Sequence, residues 1–419
     1  MSAKRIALAT FGSFGDLHPY LAIARELQRR GFIPVIATIP AYQEKVERAG
    51  FEFRLLRSAV IDQPDEHLMR KVLDLRNGAR FILKHLMMPA LRIAYSDALT
   101  AFEGVSLVVI HPLTFAARLA AETKKIPWVT TQLAPMGFLS AYDPPAIPIA
   151  PWLAPLRPLG PTFFRPLLAL ARRSVRSWTM PYERFRRELG LPSAGHPLFA
   201  GAHSPALVLA MFSSTLGRPM PDWPPQTAIT GFPFYDGEET QLTPDLEAFL
   251  NEGDPPIVFT LGTSAVLDAG AFYAQSARAA TLLAKRAVLL VGSEPKNIPA
   301  DLPRTVLAAP YARFSLLFPR CAAIVHQGGV GTTAQAMRSG RPMLVMPYAI
   351  DQPDNAERVC RLGVARVLTR KAFSAEAARR ELQTLLDDPA YRQRGAKIAE
   401  AIAKEDGAVA ACDRLQACL

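Results

Sequence analysis

Short apolar runs alternate with amphipathic stretches along most of the chain. Residues 5–10 form an apolar run and 11–16 a glycine-containing turn. Residues 17–30 read as a helix with Leu21, Ala24 and Leu27 on one face, stopped by Gly31, and 34–39 give the next strand. Residues 105–110 and 128–132 read as further buried strands around a helix at 113–124, with 207–212 the last strand of this half. The alternation restarts at 257–261 and continues with a helix near 271–285 and strands at 287–291 and 322–326. A helix at 332–339 and a strand at 343–347 follow. Strands alternating with helices argue for parallel sheets covered on both faces. The expected class is α/β, with two Rossmann-like βαβ domains facing each other across a cleft. They span residues 1–235 and 257–390, joined by a polar, proline-containing linker at 236–256. A final helical stretch, 391–419, is expected to return to the first domain.

Two segments break the pattern. Prolines recur between residues 144 and 166 too often for a regular element, which points to an irregular wall or lid. Residues 165–187 then read as a basic helical stretch, with Arg165, Arg172, Arg173 and Arg176 set among leucines and Trp178. A solvated helix face and a membrane-surface contact are both open readings of it.

Hydrophobic residues make up 50% of the 419 and charged residues 20%, which excludes a disordered or collagen-like chain. Lys plus Arg (48) against Asp plus Glu (37) leaves +11, a balance that favours an anionic partner without choosing it. The basic residues carry no interleaved aromatic platform, so nucleic acid is not an expected partner. Cys321, Cys360, Cys412 and Cys418 form no C-x-x-C pair, which argues against a zinc ribbon or a disulfide scaffold. Gly12, Gly15, Asp16 and His18 interrupt any apolar run of signal-peptide length. The expected location is therefore the cytoplasm, with a peripheral position at the inner membrane face left open.

The segment richest in chemistry is Ile324-Val-His-Gln-Gly-Gly-Val-Gly-Thr-Thr-Ala-Gln335. An apolar strand runs into His326, then into Gly328, Gly329 and Gly331, and Thr332 and Thr333 follow at the start of a helix. Glycines let backbone approach an anion closely, and the free N–H groups and positive end of the helix hold a phosphate. A tight βα turn with a capped helix would explain the glycines but not His326 at the strand end, so diphosphate binding is the expectation. The loop lacks the Gly-Lys-Ser/Thr of a Walker A sequence and the G-x-G-x-x-G dinucleotide spacing. The next strand leads to Asp351-Gln352, and strand ends of adjacent βα units share one crevice. A carboxylate beside an amide suits vicinal sugar hydroxyls, although such a pair is also a common helix cap.

His-x-Gly-Gly-x-Gly-Thr-Thr, Gly340-x-Pro342, Pro347 and Asp-Gln-x-x-Asn-Ala together resemble the donor-site signature of family 1 nucleotide-sugar glycosyltransferases of GT-B fold. Phe11-Gly-Ser-Phe-Gly-Asp-Leu-His-Pro19 is similar to the N-terminal motif of the bacterial branch. Asp222-Trp223 with Gly231-Phe-Pro-x-x-Asp236 resembles the rhamnolipid rhamnosyltransferase and sterol-glucosyltransferase-like enzymes. The resemblance implies that His326 and the 328–333 turn hold the diphosphate of a UDP- or dTDP-sugar, with Gly262, Thr263 and Ser264 on its other side. It implies Asp351 and Gln352 on the sugar hydroxyls, and Tyr311 and Ala312 at the base-contacting turn, although Arg313 stands where a proline is common.

Inverting transfer to a hydroxyl needs a group that takes its proton. In the N-terminal motif that group is implied to be Asp16, for which a plain helix cap is the competing reading. His18, His111, Met136, Phe138 and Trp152 are the expected acceptor-lining residues, with orientation of the base an alternative role for His111. Apolar linings suit a hydrophobic acceptor such as a lipid, polyphenol or terpenoid. No metal and no separate cofactor are expected, since the chain has no Asp-x-Asp pair and no histidines at zinc spacing. The expected activity is inverting hexosyl transfer, glucosyl or rhamnosyl. A sugar-nucleotide epimerase of the same fold and a non-catalytic nucleotide-sugar-binding partner are the alternatives.

Overall fold

The computed structural model describes residues 3–59, 65–147, 149–237 and 240–419. The first sheet is built from β1 (Arg5–Ala9), β2 (Ile33–Thr38), β3 (Glu52–Leu55), β4 (Val105–Ile110), β5 (Trp128–Gln132), β6 (Val208–Ala210) and β7 (Thr227–Ile229). The second contains β8 (Ile257–Thr260), β9 (Ala287–Leu290), β10 (Val306–Ala309), β11 (Ala323–His326), β12 (Met343–Val345) and β13 (Ala365–Val367). Their orders are β3-β2-β1-β4-β5-β6-β7 and β10-β9-β8-β11-β12-β13, and every pairing is parallel. The central strands are buried on both faces, which is why they read as continuous apolar runs.

In both sheets the order reverses beside the first strand, between β1 and β4 and between β8 and β11. Loops leaving the carboxyl ends at such a point diverge and leave a crevice. Asp16 follows β1 and His111 follows β4. The Gly262–Ser264 turn follows β8, and His326 ends β11. The topology thus places the sequence-marked residues at one crevice per domain.

Several elements differ from expectation. The first sheet gains β7 beyond the 207–212 strand, and β3 and β10 add edge strands, the first concealed by its mixed sequence and the second only four residues long. Within the 236–256 stretch, Pro244–Asn251 is helical and buries Leu246 and Leu250 in a core shared with Val258 and Val288. The irregular linker is correspondingly shorter. The 144–166 wall is partly regular. Pro151–Leu159 is a 3-10 helix, and an α-helix, Gly160–Ser174, takes Pro161 in its first turn, where a missing N–H costs nothing. The basic stretch forms two helices, Gly160–Ser174 and Met180–Glu188. Arg186 lies inside the fold, bonded to Glu122 and the Pro192 carbonyl.

The C-terminal stretch also forms two helices. Pro389–Ile402 stays on the second domain, with Gly395 against Gly340. Gly407–Gln416 lies on the first, burying Ala411, Cys412 and Leu415 beside Leu17 and Leu21. Among the described residues no helix is long and apolar enough to cross a membrane.

Candidate active site

Asp16 is not the cap of its helix. Ser13 caps Phe14–Arg29, and Asp16 sits in the first turn, where it closes a capping box. Its Oδ2 accepts the Ser13 backbone N–H at 2.7 Å and the Ser13 hydroxyl at 2.9 Å. A Cβ on Gly12, whose φ is +130°, would lie 2.3 Å from that oxygen, so only glycine leaves room for the carboxylate. Oδ1 points the other way, 3.3 Å from His111 Nε2. His111 is buried, and its Nδ1 accepts the Leu113 N–H at 3.2 Å. The ring proton therefore belongs to Nε2, which faces Asp16 as a donor. One oxygen of the carboxylate is thus held by two donors and the other lies beside the His111 imidazole, and the side chain remains 28% exposed.

On the opposite domain His326 is fully buried, and burial pushes its pKa down to about 3. It is neutral, its Nδ1 accepting the Gly328 N–H at 3.0 Å. Nε2–H is then the free donor, and no described residue accepts from it. The following helix, Val330–Ser339, starts at Gly329 without a side-chain cap, so its first-turn N–H groups stay available, unlike those of the capped first helix. Thr332 and Thr333 are buried in that turn, and the Thr333 hydroxyl has no partner among the described residues. Gln327 Nε2 packs against Gly262, which sets the 262–264 turn beside this loop. An unpartnered neutral imidazole N–H, a free hydroxyl and an uncapped helix end on one loop are the donors a diphosphate needs.

The two helix starts meet. A Cβ on Gly331 would come within 3.2 Å of the Gly15 Cα, so the crevices form one gap at this point. Asp351 faces it. Although Asp351 stands at the cap position of Gln352–Arg361, its side chain makes no cap bond. Its Oδ2 accepts from Asn355 Nδ2 at 2.8 Å, and the same Nδ2 donates to the Gly328 carbonyl at 2.9 Å. Asn355 therefore ties the Asp351 turn to the glycine loop. Gln352 Oε1 accepts the N–H groups of Tyr348 and Ala349 at 2.9 and 3.4 Å, which leaves its amide hydrogens as donors. Burial, and after it the charge of Asp16, raises the Asp351 pKa to about 7, so the carboxylates of the two domains sense each other across the gap.

Residues 6–142 match the glycosyltransferase family 28 N-terminal domain, and 279–415 match the erythromycin biosynthesis protein CIII-like C-terminal domain. Over 97% of its length the chain is 35% identical to O-mycaminosyltylonolide 6-deoxyallosyltransferase of Streptomyces fradiae, covering 96% of that protein. The chain belongs to the GT-B natural-product glycosyltransferases. Glycosyltransferase GtfE of Amycolatopsis orientalis is 30% identical over 98% of the chain and 97% of its own length. In fold, the glycosyltransferase is similar to the calicheamicin glycosyltransferase CalG4, with a TM-score of 0.73 at 20% identity, covering 100% and 99% of the two chains. It is likewise similar to the spinosyn rhamnosyltransferase SpnG complexed with thymidine diphosphate, with a TM-score of 0.71 at 19% identity, covering 99% and 100%.

The remaining sequence-marked residues of the glycosyltransferase fall in different places. Tyr311 is half exposed beside buried Ala312, and Arg313 lies 3.7 Å from Asp236, which Arg338 also pairs at 2.9 Å. Thr263 is exposed and Ser264 half-buried on the 262–264 turn, and Met136 is half-buried after β5. His18 stacks on Phe14 and leans on Tyr235, and burial followed by Lys45 lowers its pKa to about 3. Phe138, expected on the acceptor, is core. It stacks on Trp223 at 4.0 Å and meets Phe212 edge-on, so its ring is taken up by packing. Trp152 is 62% exposed.

Sequence reading missed the residues that brace the site from behind. The Ala146 N–H donates to Asp354 Oδ1 at 2.9 Å, and Arg157 pairs with Glu357. Arg358, 3% exposed, joins Asp354 of its own helix to Asp143 of the first domain, and Arg361 reaches Asp143 at 3.0 Å. Burial raises the Asp143 pKa, but the two arginines outweigh it and hold the carboxyl below its ordinary range. The wall at 143–157 is thereby pinned to the helix that begins after Asp351.

Two outcomes follow from this geometry. His326→Ala is expected to weaken nucleoside diphosphate binding by roughly 10- to 100-fold, since a hydrogen bond to a charged group is worth about 1.5–3 kcal/mol. Titration calorimetry with dTDP and with UDP reads this, and an unchanged affinity would remove His326 from the phosphate site. For Asp351 the pH dependence has a definite sign. Its folded pKa of about 7 exceeds the ordinary 3.8, so the folded chain keeps a proton that the unfolded chain loses. Its contribution to stability is fullest below about pH 4 and falls as pH rises toward 7. Asp351→Asn should therefore raise Tm by a few degrees at about pH 8 and much less at about pH 4. Equal effects at both would show that Asp351 ionises normally.

Proposed function

We propose that the glycosyltransferase transfers a hexose from a UDP- or dTDP-sugar to a hydroxyl of an apolar acceptor, with inversion and without a divalent metal. The observation that carries this reading is the pairing across the gap. Asp16, oriented by Ser13 and His111, faces Asp351, beside an uncapped helix end and the Nε2–H of His326.

In this reading the diphosphate lies on the first turn of Val330–Ser339. Its oxygens accept from His326 Nε2, the Thr333 hydroxyl and the first-turn N–H groups. Asp351 and the Gln352 amide take the sugar hydroxyls. The acceptor hydroxyl enters from the first domain, and Asp16 removes its proton as the oxygen attacks the anomeric carbon. The bond from that carbon to the diphosphate oxygen breaks on the opposite face, so one displacement inverts the anomeric centre. The charge that develops on the leaving diphosphate meets donors already in place, which is the role a divalent ion would otherwise fill. The His111 imidazole, 3.3 Å from the second Asp16 oxygen, keeps the carboxylate aligned.

Between donors, the dTDP-linked 6-deoxyhexoses are favoured. One relative is a 6-deoxyallosyltransferase, and a rhamnosyltransferase of the same fold was crystallised with thymidine diphosphate. UDP-glucose is the alternative, and a sterol 3-beta-glucosyltransferase of Leptosphaeria maculans is 27% identical over 86% of this chain and 25% of that protein. The test is a matrix of dTDP- and UDP-sugars against hydrophobic alcohols, phenols and macrolactones, read by mass spectrometry, with the product anomer assigned by NMR. An inverted glycoside supports the reading. A retained anomer, or an isomerised donor formed without acceptor, would contradict it.

A further inference from the structure

The segment that walls the gap has an outer face that no described part of the chain covers. Inside, Ala141, Leu153, Phe164 and Leu168 form a small buried cluster that joins Pro151–Leu159 to Gly160–Ser174. Phe164 and Leu168 meet the inward apolar demand of that helix. A second apolar row nevertheless runs along it, with Leu159, Phe163 and Leu170 in helical register and exposed by 55%, 37% and 65%. Ile149 and Trp152, exposed by 64% and 62%, extend the apolar surface on the preceding segment. Single exposed apolar side chains are ordinary, but a row in register is not.

The charge around this row has one sign. Between residues 144 and 187 the sequence holds eight arginines and the single acid Glu183. Arg157 and Arg186 are consumed by internal pairs with Glu357 and Glu122. Arg173 and Arg176, by contrast, make no ion pair among the described residues, and neither does Arg165, which lies 5.4 Å from the exposed Tyr142 ring and donates to its hydroxyl at 2.9 Å. An apolar row edged by unpaired arginines, with an exposed indole at one end, has the composition of an interfacial helix.

We propose that this face docks on a membrane surface that carries anionic lipid. Charge complementarity favours that occupant over a second copy of the chain, because a symmetric contact through this face would set arginine against arginine. The docked wall is the one tied through Asp143 and Ala146 to the helix that begins after Asp351. Docking therefore opens the gap beside the bilayer, where an apolar acceptor concentrates. That consequence rests on the proposed transfer reaction, whereas the docking itself does not.

Cosedimentation of the full chain with phosphatidylcholine vesicles, with and without phosphatidylglycerol, tests it. Binding is expected with phosphatidylglycerol and at least about tenfold weaker without it or at raised salt. Leu170→Glu and the pair Arg173→Glu/Arg176→Glu should each lose about tenfold or more in vesicle affinity while keeping wild-type melting curves and dTDP affinity. Equal binding to both vesicle types, no binding to either, or variants that pellet like the wild type would overturn the proposal. A dimer in solution that Leu170→Glu splits into monomers would also overturn it, assigning the face to a second copy. If docking holds while no acceptor is glycosylated, the transfer reading fails and the docking stands.

Discussion

Asp16→Asn is expected to lower kcat by about 10²- to 10⁴-fold, the range a positioned general base contributes, while donor affinity stays within about threefold, because in the proposed arrangement Asp16 meets the acceptor hydroxyl and supplies none of the donors that hold the diphosphate. Asparagine keeps one oxygen for the two Ser13 donors, so the capping box and the start of the first helix survive. What disappears is the carboxylate that the proposed reaction uses to take a proton from the attacking hydroxyl. The substitution also has an electrostatic readout across the gap. Asp16 is one cause of the raised Asp351 pKa, so its removal should move the Asp351 step in the stability-versus-pH curve downward from about 7. Retained turnover in single-turnover experiments would place the base elsewhere.

The second large effect concerns stability and donor use together. Arg358 lies between two carboxylates, Asp354, which is fully buried, and Asp143. Arg358→Met leaves both without their main counter-charge, and breaking a buried pair from one side costs about 3–5 kcal/mol. A Tm drop on the order of 10 °C is expected. Because the same helix begins after Asp351, donor KM should rise as well. A double-mutant cycle with Asp143→Asn separates the contact between domains from the rest, with an expected coupling of about 0.5–3 kcal/mol. No coupling would mean that the wall and the helix are independent.

The parts of this site that were legible in the sequence are those governed by local rules. His326 and the glycine turn stand out because an apolar strand running into glycines and hydroxyl residues is a continuous signal. Asp16 stands out for the same reason after β1. Their meeting follows from the parallel βα repeat, which sends both loops to a switch point. The illegible parts depend on long-range packing. Asp143 and Arg358 are paired across 215 positions, and neither has a local feature that announces a partner. Helix Glu66–Val72 belongs to the first half of the chain, yet buries Met69 beside Ile257 and Phe259 of the second. Phe138 ends the short Pro135–Phe138 turn after β5, and nothing local there announces its burial. Only the fold shows Trp223 stacked on it. The edge strands β3 and β7 escaped because edge positions relax the apolar demand that makes central strands readable.

The central claim is the seat of the diphosphate, and a crystal structure of the protein with dTDP bound tests it most directly. The account predicts a phosphate oxygen within hydrogen-bond reach of His326 Nε2 and the diphosphate over the first turn of Val330–Ser339, with Asp16 across the gap. A diphosphate seated away from that helix end, or one approaching His326 with no donor from the turn, would contradict it.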